Sequence, residues 1–157
     1  MMRRRRAEKR EVLNDPKYSS ELVSRFMNVI MESGKKTVAE GIVYGALDLL
    51  AQKVTEEPVL KSLSKAVDNV RPRVELKARR VGGATYQVPI DVAPARGTSL
   101  ALRWIRDFAR KKKGKSMVNK LADELIAAYK QEGAAIKKRD ETHKMAEANK
   151  AFSHFKW

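Results

Sequence analysis

The feature that most constrains this fold is a pair of alternating segments on either side of a glycine pair. The apolar residues at every second position are Val74, Leu76 and Ala78 before the glycines, and Tyr86, Val88, Ile90 and Val92 after them. Charged or polar residues fill most of the positions between. A period of two on both sides of Gly82-Gly83 predicts a β-hairpin over residues 72–92.

The register of the hairpin depends on which residues share a face. A two-residue turn at Gly82-Gly83 pairs Leu76 with Pro89, and it also places apolar and polar side chains together on one face. A shift of one residue would separate them, so we expect a loop of three or five residues with a glycine at positive φ. The two faces would then consist of Val74, Leu76, Ala78, Tyr86, Val88 and Ile90, and of Arg73, Lys77, Arg79, Thr85 and Gln87.

A two-stranded ribbon alone is only marginally stable in water, and no other segment has a clear strand pattern. We therefore expect the base of the ribbon to lie on helices while its tip projects as an arm. Two interpretations of the arm remain open at this point. It is either a surface hairpin with solvated charges or a basic ribbon that grips nucleic acid.

The composition limits the class of protein. A chain of 157 residues with 43% hydrophobic residues suits one domain with a core. The absence of cysteine excludes a disulfide framework and a thiolate site. The N-terminal residues lack the apolar region of a secretory signal, and no stretch approaches ~18 apolar residues. We expect neither export nor a membrane span.

The positive charge is concentrated in three segments. The chain carries a net charge of +15, of which residues 1–10 hold +5, residues 71–80 hold +4 and residues 103–115 hold +6. The rest of the chain is balanced. Three basic patches on a neutral body are typical of a protein that binds phosphates of a nucleic acid, whereas a surface built for solubility mixes both signs. An anionic membrane surface is the main alternative.

The remaining pattern predicts a mainly helical single domain with about six helices. Residues 1–18 form a basic extended segment, interpreted either as a frayed terminus or as an arm that orders on RNA or DNA. Residues 19–150 form the helical body, and residues 151–157 form a tail that docks on its own core or on a partner. The expected local features are a first helix over 20–33, a capping box at Thr37 with Val38 in the core, a fourth helix capped by Thr98 or Ser99, a fifth capped by Ser116, and a largely exposed last helix.

The sequence does not carry the residues of a familiar catalytic or metal site. It has two histidines and no cysteine, too few well-spaced ligands for a metal. Gly82-Gly83 lacks the Lys-Ser/Thr of a phosphate-binding loop. Neighbouring carboxylates such as Asp123 and Glu124 are interpreted as helix-surface charge. We expect no enzymatic activity, no cofactor, no metal and no small-molecule substrate.

Several motifs together identify a resemblance. The stretch Arg79-Arg80-Val81-Gly82-Gly83-Ala84-Thr85-Tyr86-Gln87-Val88-Pro89 closely resembles the hairpin signature of bacterial small-subunit ribosomal protein seven. Gly34-Lys35-Lys36, Ala101-Leu102-Arg103-Trp104, Lys137-Lys138-Arg139 and the run from Met145 to Ala151 are similar to that family too. The resemblance covers essentially the whole chain.

The resemblance implies a helical fold with one protruding β-ribbon. It implies a cytoplasmic, ribosomal protein that is a primary binder of small-subunit rRNA in the 3′ major domain and that nucleates assembly of the head. It further implies a position at the subunit interface near the decoding centre, beside the exit-site tRNA and the mRNA path. The implied protein neighbours are small-subunit proteins nine and eleven.

The family's functional residues carry over to this sequence position by position. The resemblance implies rRNA contacts at Arg3, Arg4, Arg5, Arg6, Lys9, Arg10, Lys35, Lys36, Arg71, Arg73, Lys77, Arg79, Arg80, Arg96, Arg103, Arg110, Lys111, Lys112, Lys113, Lys115, Lys137 and Lys138. It implies that Val81, Gly82, Gly83, Ala84, His143 and Lys144 face tRNA or mRNA, and that Phe152, His154, Phe155 and Trp157 contact a protein partner. Members of the family often have two consecutive basic residues where this chain has Arg96-Gly97.

Three other functions fit parts of the pattern. An architectural DNA-binding protein also combines a helical body with a basic β-arm, but such arms often end in an apolar wedge, and Val81–Ala84 is a poor one. A structural adaptor would use the tail to recruit another protein, with RNA binding incidental. An RNA-modifying enzyme would need an acid–base pair that the sequence does not offer.

Overall fold

Between residues 10 and 155, the protein consists of six α-helices, one β-hairpin and a final 3₁₀ helix. The structure, a computed structural model, describes residues 10–155, with side chains described to residue 154. The elements in chain order are α1 (Glu21–Ile30), α2 (Lys36–Lys53), α3 (Val59–Val70), β1 (Val74–Val81), β2 (Ala84–Asp91), α4 (Pro94–Lys111), α5 (Met117–Tyr129) and α6 (Ala134–Ala148), followed by a 3₁₀ helix, Lys150–Phe155. The mainly helical fold with one two-stranded hairpin is as predicted.

Helix α5 is the centre of the helical body. It packs against α2, α3, α4 and α6, while α1 closes the other side of α2 and α4. The apolar stripes of these helices meet in one core. Its largest fully buried apolar side chains are Phe26, Met27, Leu47, Leu50, Leu63, Leu102, Ile105, Leu121 and Leu125. Within residues 10–155, no helix is long and apolar enough to cross a membrane.

The hairpin has a different register from the one predicted. The strands pair Leu76 with Pro89 and Ala78 with Gln87, around a two-residue turn. Gly82 and Gly83 both have positive φ, at 57° and 88°. That is the conformation of a type I′ turn, whose twist matches two antiparallel strands. The preference of the turn thus determined the register, and the separation of apolar from polar residues did not.

The mixed faces are tolerated because both sides of the ribbon contact the body near its base. Val88 is fully buried although it shares a face with Lys77 and Arg79. On the opposite face, Val74 and Pro89 line a cavity of about 380 Å³ against α6 and the 3₁₀ helix. A strand with partial cover on each face specifies its register only weakly.

The last helix is less exposed than predicted. Ala135, Ile136 and Ala146 are buried, and α6 packs against both α5 and β1. Beyond it, the 3₁₀ helix returns to β2, where the ring of Phe152 lies 5.2 Å from that of Tyr86, centroid to centroid. The start of the tail therefore supports the ribbon on its own chain.

Helix starts were predicted with mixed success. The Ser116 hydroxyl accepts from the Asn119 N–H, as expected of the α5 cap. The other two predictions were wrong. Helix α4 begins at Pro94, so Thr98 and Ser99 lie inside it and donate to carbonyls four residues back. The residue before α2 is Lys35, which makes no side-chain cap, and Val38 is 57% exposed rather than part of the core.

Candidate nucleic-acid interface

Between residues 10 and 154, the basic side chains divide into those that bind other parts of the protein and those for which the described chain offers no partner. This division matters because only a cation with free donors and access to solvent is available to an RNA phosphate. Basic residues that are adjacent in the sequence can belong to different groups. The segment 103–115 illustrates it best.

Arginines on α4 hold the C-terminal end of α1. The guanidinium of Arg106 donates to the Val29 carbonyl and that of Arg110 to the Ile30 carbonyl, each at 3.2 Å. Carbonyls in the last turn of a helix lack partners within the helix and carry partial negative charge, so cations stabilise that end. Arg110 also pairs with Glu32 at 2.8 Å. These two arginines therefore stabilise the fold as well as contributing positive charge.

Two lysines of the loop after α4 turn back onto α5. Lys112 Nζ lies 2.7 Å from Glu124. The interpretation of Glu124 as helix-surface charge was wrong, because its side chain is 1% exposed and also accepts from the Ala135 N–H at 3.0 Å. Lys115 Nζ lies 2.7 Å from Asp123. The hydrogen bond from Lys115 lowers the pKa of the Asp123 carboxyl, with smaller contributions from the charges of Lys115, Lys53 and Lys112. These contacts fix the loop to the body.

The base of the ribbon carries a second set of paired cations. Arg96 makes a bidentate contact with Glu75, with distances of 2.8 to 2.9 Å, and this contact raises the pKa of Arg96. Arg71 pairs with Asp68 at 3.3 Å, and Arg139 donates to the Asn69 carbonyl and to Asp140.

A notch of about 350 Å³ brings Arg71 and Arg73 together with Arg139. Sequence reasoning gave Arg139 no role of its own, although the family motif that includes Lys137-Lys138 contains it. Its spacing of four from His143 on one helix face was the available signal.

His143 holds the backbone just before strand β1. Its Nε2 accepts the Arg73 backbone N–H at 3.0 Å. Burial lowers the pKa of His143, as do the charges of Arg139 and Arg73, while Asp140 opposes them. The neutral imidazole is the form that this hydrogen bond requires, because an imidazolium has no acceptor.

A group of candidate cations has no hydrogen bond or ion pair from its side chain. Within residues 10–154 these are Arg10, Lys35, Arg73, Lys77, Arg80, Arg103, Lys113, Lys137 and Lys138. All are exposed except Lys138, which is half-buried. Lys36 lies 4.0 Å from Glu40, and Lys111 sits over the Phe108 ring at 5.0 Å. Arg79 is half-buried on the ribbon face that carries Tyr86.

The remaining candidates lie at the ribbon tip and the chain ends. Gly82, Gly83 and Ala84 are exposed and Val81 is half-buried, as an uncharged tip. Lys144 and His154 are exposed. Arg3 to Arg6, Lys9, Trp157 and the side chain of Phe155 lie outside the part of the chain that the structure describes.

The same part of the chain shows no group of three or more His, Cys, Asp or Glu side chains placed to hold a metal ion. The surface it offers is a set of exposed cations around a rigid helical body. Such a surface binds the phosphates of a polyanion, and its fixed spacing favours a polyanion of matching shape.

Comparisons with known proteins give similarity over the whole length of the chain. The family model described as ribosomal protein S7p/S5e matches residues 2–150. Proteins named small ribosomal subunit protein uS7 are 58% identical in Methylococcus capsulatus, 55% in Marinobacter nauticus and 57% in Pseudomonas fluorescens. Each alignment covers 157 residues, the full length of both chains.

Proposed function

Because the chain belongs to the ribosomal protein S7p/S5e family, we propose that it is a primary rRNA-binding protein that binds the 3′ major domain and nucleates assembly of the head. Membership in the family makes it a structural constituent of the small ribosomal subunit that takes part in translation and binds rRNA. Its role is structural, as in the rest of the family.

The observation that supports this proposal most is a set of exposed cations, on the helical body and the ribbon, whose side chains have no partner in the described chain. It includes Lys35 beside α1, Arg73 and Lys77 on the ribbon, and Arg103 and Lys113 along and after α4. Each phosphate contact releases a condensed counterion and so contributes affinity without reading sequence. Specificity then depends on how the spacing of these cations fits a folded RNA, because the deep, narrow groove of A-form RNA excludes side chains.

The internal contacts of the basic segments support binding to a preformed site. Lys112 and Lys115 fix the basic loop to α5, and Arg96 fixes the ribbon to α4. A surface that is ordered before binding loses less conformational entropy when it binds. The loop after α4 is already held by these pairs before any RNA is bound.

We further propose that the ribbon tip and α6 face the exit-site tRNA and the mRNA path. The exposed, uncharged tip at Gly82-Gly83 allows close approach of a nucleic-acid backbone, and Lys144 supplies an exposed cation on α6. The chain end beyond Phe152 would contact small-subunit protein eleven, and protein nine would be a second neighbour, near the decoding centre. Phe152 itself contributes indirectly, since its ring packs on Tyr86.

Equilibrium binding across a salt series tests the proposal. The ligands are a 3′ major-domain rRNA fragment, an unrelated folded RNA of equal length and a DNA duplex. We expect tight preference for the rRNA fragment that persists at high salt. Equal binding to all three ligands, lost together as salt rises, would contradict it, and preference for the duplex would favour an architectural DNA-binding protein.

A matched pair of variants controls for general charge. Lys113→Gln removes a cation from the proposed interface, and Lys61→Gln removes an exposed one from α3. The first should lower the salt slope of rRNA binding by about one, whereas the second should leave it unchanged.

A further inference from the structure

The surface between the C-terminal end of α1 and the start of α2 opens into a cavity of about 290 Å³. Its apolar lining is Ile30, Met31, Val38, Ala39, Ile42 and Met117. The cavity volume is about ten times the ~30 Å³ that a water molecule takes up in the liquid, so the cavity is large enough for a planar ring. Val38 lies at the edge of the cavity, and its apolar side chain is exposed rather than buried by the fold.

The rim of this cavity is cationic. Lys35 and Arg110 line it together with one carboxylate, Glu32. Arg110 is fixed by its bonds to Ile30 and Glu32 but retains further N–H donors, because a guanidinium has five. Lys35 has no ion-pair partner in the described chain and stands on a tight turn where Ser33 and Gly34 have positive φ. Lys111, the last residue of α4, and Lys113, in the loop after it, follow Arg110 closely in the sequence.

We propose that this cavity accepts an unpaired nucleobase of the bound rRNA, while Lys35 and Arg110 hold the phosphates beside that nucleotide. The inference rests on the proposed function and assigns it one specific subsite. Unpaired bases that are splayed out of a folded RNA bury their faces on protein surfaces, and each carries an anionic phosphate with it. The apolar side chain of a protein partner would suit the floor but would leave Lys35 without an anion and the further N–H donors of Arg110 without an acceptor.

A cross-linking experiment locates the occupant. The chain has no cysteine, so Val38→Cys introduces a single thiol for a photoreactive group at the mouth of the cavity. Ser64→Cys, exposed on α3, is the matched control. In complexes with the rRNA fragment, we expect Val38→Cys to cross-link at one unpaired nucleotide and Ser64→Cys to give no cross-link there.

A cavity-filling variant tests the energetic contribution. Ile42→Trp places a ring in the space and should weaken rRNA binding about tenfold without changing the salt slope, because no phosphate contact is lost. Lys35→Gln should instead lower the slope by about one. If Ile42→Trp does not fold, Val38→Gln at the exposed edge replaces it, with an expected loss of about threefold.

An abasic nucleotide completes the test. Removing the base at the cross-linked position should cost wild-type binding about tenfold and should cost Ile42→Trp nothing further, since the cavity is already filled. If wild type prefers the rRNA fragment but neither the filled cavity nor the abasic site weakens binding, the subsite is wrong and the proposed function stands. If wild type shows no preference among the RNAs, the proposed function fails first. A cross-link from Val38→Cys to a ribosomal protein in assembled subunits, and to no nucleotide, would also overturn the subsite.

Discussion

Two adjacent lysines should differ in what they contribute, one to stability and one to RNA binding. Lys112 pairs with the buried Glu124 at 2.7 Å, whereas Lys113 is exposed and makes no ion pair in the described chain. Removing one partner of a fully buried ion pair costs ~3–5 kcal/mol. The Lys112 side chain is 35% exposed, so water screens the pair and we expect Lys112→Gln to cost about 2 kcal/mol.

The assay is urea unfolding, with rRNA binding measured on the same variants. For a urea m-value of ~2 kcal/mol/M, a loss of about 2 kcal/mol lowers the unfolding midpoint by about 1 M. Lys113→Gln should leave the midpoint unchanged and lower the salt slope of rRNA binding by about one. Lys112→Gln should do the reverse, with an altered midpoint and an unaltered slope.

Glu124→Gln supplies the control for the pair. It retains an oxygen that can accept from the Ala135 N–H while removing the charge that Lys112 contacts. In the double variant, the cost of Lys112→Gln should largely disappear, with a coupling energy of about 2 kcal/mol. If Lys112→Gln leaves the midpoint in place, or lowers the salt slope as Lys113→Gln does, the division of roles between these lysines is incorrect.

Three further predictions concern pH and the ribbon turn. Because the folded state lowers the pKa of His143, its stabilising effect is complete above the ordinary value of about 6.5 and is lost as pH falls through the lower folded pKa; urea midpoints at pH 7 and 5 should differ less in His143→Ala than in wild type. The hydrogen bond to Asp15 raises the pKa of Tyr44 to about 12, so its contribution is complete below about pH 10 and is lost as pH rises towards 12; Tyr44→Phe should lose less stability than wild type over that range in unfolding experiments. Gly83 has φ of 88°, and Gly83→Ala should destabilise the protein by about 1 kcal/mol in thermal unfolding, whereas Gly83→Asn should cost less.

The hairpin shows which parts of the fold a sequence pattern can predict. Alternation around Gly82-Gly83 correctly predicted two strands and a turn, because period and glycine conformation are local properties. The register was wrong because the prediction assumed one apolar face. The contacts that cover both faces come from α6 and the 3₁₀ helix, which begin more than forty residues after the hairpin ends.

Helix ends show the same limit at a smaller scale. Ser116 was correctly identified as a cap, since nothing before it competes for the start of α5. For α4, Thr98 and Ser99 are good capping residues, but Pro94 begins the helix a turn earlier, where its fixed φ suits the first position. Choosing between two plausible starts depends on how the end of the ribbon leads into the helix, and that is set by tertiary contacts.

Counting charges along the sequence identifies the basic segments but does not separate the roles of the side chains within them. Residues 103–115 hold +6 in sequence, yet the carboxylates that neutralise part of this charge come from elsewhere. Glu32 reaches Arg110 from beyond the end of α1, and Glu124 reaches Lys112 from the middle of α5. Lys112 and Lys113 are identical in type and adjacent, so no property of the sequence around them distinguishes an anchor from a phosphate contact. What distinguishes them is the direction of each side chain from the loop, and the loop takes its conformation from the pairs it makes. The same contacts that withhold some cations from RNA therefore hold the others at fixed spacing, and that spacing is what lets a surface of similar charges prefer one folded RNA over another.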